Sequence, residues 1–358
     1  MILEHIQQLA VDAGCVGVGV TSADPFDGLA EAMHERKVDG FAADLAFTYR
    51  NPAVASDVRR TFPWAQRLIA VAHAYEPAAG VSESSAGRLR IARFADGDHY
   101  VGLRNALTRI AMALKMSGAR AEVLADDSRL VDRAAAVRAG VGWWGRSTMV
   151  LVPGAGPWVL LGSVATDAPL ELTEPMVRTC ATCTACMPAC PTGAILDDGI
   201  LDVRLCLAHH LQSAGLIPED LREAIGDRLY GCDDCLTSCP PGWRSVAGAP
   251  VVDGPTILEI LGLDDATLLF RYGHFYLPGR RPRILRRNAL VAAGNDRSPD
   301  LEPVVIGYLG HPDWLLRAHA AWAVGAFDTA IGRAALGRAI AEERDGRVRE
   351  ELRRAGAS

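Results

Sequence analysis

Apolar residues at Ile2, Leu3, Ile6, Leu9 and Ala10 recur at the intervals of one helix face, which predicts a helix over residues 2–13. The small and apolar run 14–20 that follows predicts a buried strand, with Cys15 packed in it as a small hydrophobe. The same pattern predicts a strand over 68–74, a helix over 100–115 and a strand over 121–125. Residues 129–139 read as a short helix stopped by Gly140, with Asp126, Asp127 and Ser128 as capping candidates at its start. The uncharged run 147–166 approaches the length of a membrane span, but Pro153, Gly154, Gly156 and Pro157 break it into two strands, 148–152 and 158–164. A mixed α/β domain is expected over 1–167.

Regular patterning then stops. Residues 168–245 are rich in cysteine, punctuated by Pro and Gly, and too irregular to build a large apolar core, so bound metal is expected to organise them. From Gly254 helical segments return. Two of them, 283–294 and 314–325, share an Arg, then small residues, then a terminal Gly, about 31 residues apart. That spacing predicts stacked α-helical repeats over 246–358, with an ordinary helical bundle as the alternative. The expected fold class is α+β: an N-terminal α/β domain, a cysteine-rich centre and a helical-repeat end.

Composition places the chain among globular proteins: 49% of its 358 residues are hydrophobic and 22% charged. A net charge of -6 excludes a general polyanion binder, yet the charge is uneven. Residues 270–358 hold 15 Arg, no Lys and 10 acidic residues, a balance of +5 that leaves the first 269 residues at -11. Arg280, Arg281, Arg283, Arg286 and Arg287 crowd around one helix start, a row suited to a phosphate backbone or, more plainly, a solvated helical face. The opening residues carry Glu4 and no basic segment, so an export signal is not expected and the reading is cytoplasmic.

Of nine cysteines, eight fall between Cys180 and Cys239, which in a chain read as cytoplasmic points to metal rather than disulfides. Cys180-x2-Cys183-x2-Cys186-x3-Cys190-Pro matches the bacterial ferredoxin run, whose fourth Cys ligates the other cluster. Cys232-x2-Cys235-x3-Cys239-Pro is a second run lacking one Cys, and Cys206 completes the eight. Cross-ligation then assigns Cys180, Cys183, Cys186 and Cys239 to one 4Fe-4S cluster, and Cys190, Cys206, Cys232 and Cys235 to the other. Two four-thiolate zinc sites are the alternative. A pair of clusters suits an electron relay, and a purely structural cluster is the plainer reading.

Beyond the cysteines, the sequence resembles the epoxyqueuosine reductases, cobalamin-dependent iron-sulfur enzymes of queuosine tRNA modification. The likeness covers nearly the whole chain and is carried by residues 126–133, the Ala-Gly-Val-Gly-Trp-Trp-Gly of 139–145, the cysteine segments 180–193 and 230–235, and the helices around 285–288 and 320–323. It implies that Asp126, fourteen residues before Gly140, is the proton donor, with Asp127 beside it as the other possibility. It also implies that electrons pass through two 4Fe-4S clusters to cobalamin, whose low-valent cobalt attacks the epoxide carbon while the acid protonates the alkoxide. Such an acid must hold its proton near neutral pH, which burial provides.

By the same resemblance Arg50, Arg59, His99, Asp126, Trp143, Ser147, Gly231 and Asp233 line the corrin, and the row Arg280, Arg281, Arg283, Arg286 and Arg287 holds tRNA. The implied partners are the anticodon loop of queuosine-type tRNAs and a low-potential electron donor such as flavodoxin or ferredoxin. No membrane is involved, and a monomer is expected.

Several positions depart from the family pattern. Asp98-His99-Tyr100 replaces Asp-Tyr-His, Cys206-Leu-Ala lacks a Thr, Cys239-Pro-Pro-Gly-Trp243 replaces Cys-Pro-Trp-Asn, and no Pro follows in Asp126-Asp-Ser-Arg129. They leave the clusters untouched and put the substrate in question. The other readings are therefore a paralogous cobalamin and iron-sulfur reductase for a small molecule, and a non-enzymatic electron-transfer protein. His209 and His210 are expected to cap or pack at a helix rather than ligate metal.

Overall fold

A computed structural model describes residues 3–75, 87–196, 199–246 and 254–356. The chain divides into two compact units, each assembled from separated segments: Met1–Pro77, Gly97–Leu205 and Asp234–Ala247 form the first, and Ala78–Asp96, Cys206–Asp233 and Gly248–Ser358 the second. The cysteine-rich segment is thus shared between them. The strands in chain order are β1 (Cys15–Ser22), β2 (Arg67–Ala74), β3 (Arg90–Ile91), β4 (Ala121–Ala125), β5 (Trp143–Trp144), β6 (Val150–Leu151), β7 (Val159–Thr166) and β8 (Arg228–Tyr230).

The first unit is built on a four-stranded sheet in the order β1-β2-β7-β4, antiparallel at every pairing. Its central strands are covered on both faces, which is why β2 is buried without interruption from Leu68 to Ala72. The helix Tyr100–Met116 packs against β4 and β7 through Leu103, Leu107, Ile110 and Leu114, all fully buried at helical spacing. Ala135 and Ala136 of the helix Asp132–Arg138 join Leu68, Ala70 and Ala72, alternate residues of β2, in one core. Gly19 of β1 has to be glycine, because a Cβ there would stand 1.9 Å from the carbonyl oxygen of Ala139.

Two expectations shift. The helix predicted from 129 begins at Asp132, after Val131, and none of Asp126, Asp127 and Ser128 caps it. Asp127 instead accepts the backbone N–H of Arg129 at 2.9 Å, an Asx turn that holds the chain out of the helix. The strand predicted over 148–152 shortens to β6, which pairs with β5.

In the second unit seven helices, Ile257–Gly262, Asp265–Arg271, Arg283–Asp296, Glu302–Gly307, Trp314–Phe327, Ala330–Glu342 and Gly346–Arg354, surround one apolar core. Side chains of Thr256, Asp264, Asp313, Thr329 and Asp345 cap five of them, each accepting a backbone N–H of the first turn. The glycine that ends each repeat segment is a point of close helix approach: a Cβ on Gly294 would meet the Trp322 ring at 2.5 Å, and one on Gly325 the Ala355 backbone at 2.8 Å. Arg222 and Glu351, both buried, form a two-pronged ion pair at 2.7 and 3.0 Å. Strands β3 and β8 pair in parallel and carry the chain toward Cys232.

Candidate active site

Asp126 follows the last residue of β4 and adopts a left-handed backbone, φ 53°, a conformation that Asp tolerates better than most residues. Burial pushes its carboxyl above the ordinary range, the Arg104 guanidinium pulls it down, and the charge of Asp127 pushes it up again. Asp127 differs in kind. Arg129 grips it at both oxygens, at 2.9 and 2.5 Å, and that hydrogen bonding holds its carboxyl below the usual range. Two adjacent carboxyls are therefore separated by environment, one inclined to keep a proton and the other fixed as an anion.

Three more groups share this space. The Tyr100 phenol is raised by burial and then by the charges of Asp126 and Asp132, and the Arg104 guanidinium lies 5.3 Å from the Tyr100 ring centre. Asp132 is pushed well up by burial, with Asp126 and Asp127 adding to it, and its Oδ1 is shielded from solvent without a hydrogen-bond partner among the described residues.

The residues expected at the corrin are placed as follows. Trp143 lies in β5 with a buried indole N–H that has no partner among the described residues and with the Arg178 guanidinium 5.4 Å from its ring. Ser147 is buried nearby in sequence. His99 lies 5.4 Å from the Tyr75 ring, which meets Trp158 edge-on at 6.2 Å. Arg50 is exposed, and Arg59 is ion-paired with Asp24. In the second unit Gly231 has φ 72° and a Cβ there would meet Ala92 at 2.4 Å, so that position has a packing reason to be glycine. Asp233 accepts the Arg93 backbone N–H at 2.7 Å, which ties the segment after β8 to the residues after β3.

Among the thiols, Cys180, Cys183, Cys186 and Cys239 all lie in the first unit. Burial raises the Cys186 thiol first, and the nearby Cys180, Cys239 and Cys183 add to it; burial raises Cys239 likewise, with Cys180 and Cys183 adding. The four thiols thus act on one another's ionisation, a charge cost that bound iron would relieve, and among the described residues no group of three or more donors is yet arranged to hold a metal ion. The Arg146 backbone N–H donates to Cys180 Sγ at 3.3 Å and the Ala194 N–H to Cys190 Sγ at 3.3 Å, bonds that suit thiolate sulfur. Of the other four, Cys190 and Cys235 belong to the first unit and Cys206 and Cys232 to the second.

The arginine row is divided by the fold. Arg287 is fully buried and donates to the carbonyls of His210, Ser213 and Gly215 at 2.6–2.8 Å, and to Asn288 Oδ1. Arg286 is buried against Asp265 and the Leu263 carbonyl, and Arg283 pairs with Asp313 at 3.1 Å. The expectation that all five reach a phosphate is corrected here, because Arg286 and Arg287 are interior structural groups. Arg280 and Arg281 remain exposed, without an ion pair among the described residues. His210 is buried and ring-stacked edge-on with His209 at 5.3 Å.

Arg104 and Asp132 were not singled out by sequence. Each has a bland reading there: a helix-surface Arg and an acid in a first helical turn. Only the register of Tyr100 and Arg104 on one helix, one turn apart, hinted at a shared site.

Comparison with known proteins follows the same outline. Residues 179–242 match the 4Fe-4S double cluster binding domain and residues 279–356 the HEAT repeats. The chain is 30% identical to the epoxyqueuosine reductase of Listeria monocytogenes over 98% of its own length and 95% of that protein. It superposes with a TM-score of 0.91 and 27% identity on an epoxyqueuosine reductase crystallised with an epoxyqueuosine-modified tRNA-Tyr stem loop, covering 98% of this chain and 97% of that one. A Bacillus subtilis epoxyqueuosine reductase, with its aspartate-bearing catalytic loop swung out of the active site, matches with a TM-score of 0.88 and 27% identity over 98% and 97% of the two chains. Among the described residues no helix is long and apolar enough to cross a membrane.

Proposed function

The chain belongs to the epoxyqueuosine reductase family, and on that premise we propose that Asp126 is the proton donor with which it reduces epoxyqueuosine to queuosine in tRNA. Its cofactors are two 4Fe-4S clusters and cobalamin. The zinc reading gives way to the double-cluster match, and the small-molecule and electron-carrier readings are not favoured.

The residues present fit these groups. The thiol sets Cys180, Cys183, Cys186, Cys239 and Cys190, Cys206, Cys232, Cys235 supply eight thiolates for two clusters. The indole N–H of Trp143, unpartnered among the described residues, is a donor for the amide-bearing rim of a corrin, and Ser147, His99, Gly231, Asp233, Arg50 and Arg59 are the other residues assigned to that group. When bound, the clusters supply single electrons and cobalamin a low-valent, carbon-attacking cobalt.

The chain's own contribution is acid chemistry and placement. Asp126, whose carboxyl burial pushes above its ordinary range, gives its proton to the oxygen of the opening ring, while Asp127, held below that range by Arg129, fixes the loop. The contrast between these two carboxyls is the observation that carries the assignment. An aspartate-bearing catalytic loop that swings, as in the Bacillus subtilis relative, suits a residue held in a left-handed conformation at a strand end. Arg280 and Arg281 hold the phosphates of the anticodon stem loop. In functional terms residues 1–167 hold the corrin and substrate, 168–245 the clusters and 246–358 the tRNA. The electron donor is a low-potential flavodoxin or ferredoxin, and the enzyme works as a cytoplasmic monomer.

The test is anaerobic turnover of the cluster-loaded chain on epoxyqueuosine-bearing tRNA, read by nucleoside mass spectrometry with and without cobalamin. Loss of one oxygen only with cobalamin supports the reading. Loaded protein that leaves the nucleoside intact overturns it.

A further inference from the structure

Turning an epoxide into an alkene breaks both C–O bonds of the ring, forms a C=C bond, and consumes two electrons and two protons as the oxygen leaves as water. One carboxylic acid holds one proton, so the site needs a second within each turnover. Among the described residues, the buried side-chain polar atoms without a partner include one carboxylate oxygen, Oδ1 of Asp132. Asp132 opens the helix Asp132–Arg138 six residues after Asp126. Between them lie the Asx turn of Asp127 and the Val131 N–H donated to the Ala55 carbonyl.

A buried carboxylate oxygen ordinarily accepts a hydrogen bond, and among the described residues this one accepts none. A carboxylate left so would be a costly buried charge, whereas a carboxylic acid at that place is a stored proton. The charged groups acting on it are Asp126 and Asp127, which favour the neutral acid, and Arg133, which opposes it; its own charge pushes up the Tyr100 phenol, and Arg104 acts on Asp126 and Tyr100.

Resting on the functional reading above, we propose that Asp132 holds the second proton of the reaction and resupplies Asp126. The Asp126 O–H bond breaks as its proton goes to the ring oxygen. The Asp132 O–H bond then breaks, its proton goes to the Asp126 carboxylate, and Asp126 passes it to the departing hydroxide to give water. The two electrons come in two single-electron deliveries from the low-potential donor, and solvent supplies two protons that return both Asp126 and Asp132 to the acid form. Asp132 is thus a positioning residue for protons, acting through Asp126.

Infrared difference spectra of the full, cluster-loaded chain across a pH titration read protonated carboxyls without turnover. The expected wild-type spectrum shows two carboxylic C=O bands persisting to neutral pH, one lost in Asp126→Asn and the other in Asp132→Asn. A single band, unchanged by Asp132→Asn, overturns the proposal. In turnover, Asp132→Asn should lower kcat about ten- to a hundredfold, within the reach of general-acid effects, with KM for tRNA unchanged and the alkaline limb of the pH profile moved down; Asp132→Glu should restore it. Wild-type turnover with an unshifted limb in Asp132→Asn sinks the role of Asp132 alone. Absence of turnover in the wild type sinks the functional reading and this role together.

Discussion

Replacing Arg287 by Ala should strongly destabilise the second unit without acting on tRNA directly. The guanidinium is fully buried and donates to three main-chain carbonyls, those of His210, Ser213 and Gly215, and to Asn288 Oδ1. Asn288 in turn donates to the carbonyls of Leu211 and Leu229, so it is tethered whether or not Arg287 is present. At about 1–3 kcal/mol for each buried group left unpaired, the three carbonyls alone amount to roughly 3–6 kcal/mol once partial relaxation is allowed. That is a large share of a typical domain stability of about 5–15 kcal/mol. Burial also pushes the Arg287 side chain down to about 9, and a Lys there would lack the fork-shaped donors. Denaturant melts of Arg287→Ala and of the double variant Arg280→Ala/Arg281→Ala separate the two kinds of arginine. The first should shift the midpoint strongly. The second should leave it in place while weakening stem-loop binding and reducing the log–log salt slope by about 0.7–0.9 for each phosphate no longer neutralised. A fully stable Arg287→Ala protein that has lost tRNA affinity would refute the reasoning.

Glu351→Ala should cost about 3–5 kcal/mol in a denaturant melt, because it strands the buried Arg222 charge; a loss below about 1 kcal/mol would contradict that. Gly231→Ala combines a positive φ with a Cβ 2.4 Å from Ala92 and should lower iron bound at the segment after β8, measured as iron per chain after reconstitution; full iron content would count against the packing argument. Asp126 and Asp132 both have carboxyls raised above the ordinary 3.8, so the stability they contribute is complete below that pH and is lost as pH climbs through their raised values. Asp132→Asn should accordingly flatten the fall of Tm toward neutral pH, and a parallel Tm–pH curve would speak against it. Cys186→Ser should remove one cluster and leave the other, seen as roughly half the iron and sulfide of the wild type.

The sheet and the long helices were legible because their periodicity is strong: Leu103, Leu107, Ile110 and Leu114 mark one face wherever the helix begins. The cluster cysteines were legible because their spacing is covalent information that needs no folding to read. The helix at Asp132 was read too early, since Asp127 looks like a cap by composition and acts as an Asx turn by geometry. The arginine row misled for a related reason. Sequence gives five neighbouring charges, but helical geometry turns Arg286 and Arg287 inward and Arg280 and Arg281, on and beside a turn with positive φ at Gly279 and Arg280, outward. Asp132 carried no signal, since what distinguishes it is a missing partner.

The central claim is that Asp126, not Asp127, delivers a proton to the epoxide in tRNA. Its most direct test is single-turnover conversion of epoxyqueuosine-bearing tRNA by matched, cluster- and cobalamin-loaded wild type, Asp126→Asn and Asp127→Asn proteins. The account predicts conversion by the wild type, a loss of about a hundredfold or more in Asp126→Asn, and a smaller loss in Asp127→Asn through loosening of the Arg129-anchored loop. Wild-type rates in Asp126→Asn, with iron and cobalamin contents equal across the three, would contradict it.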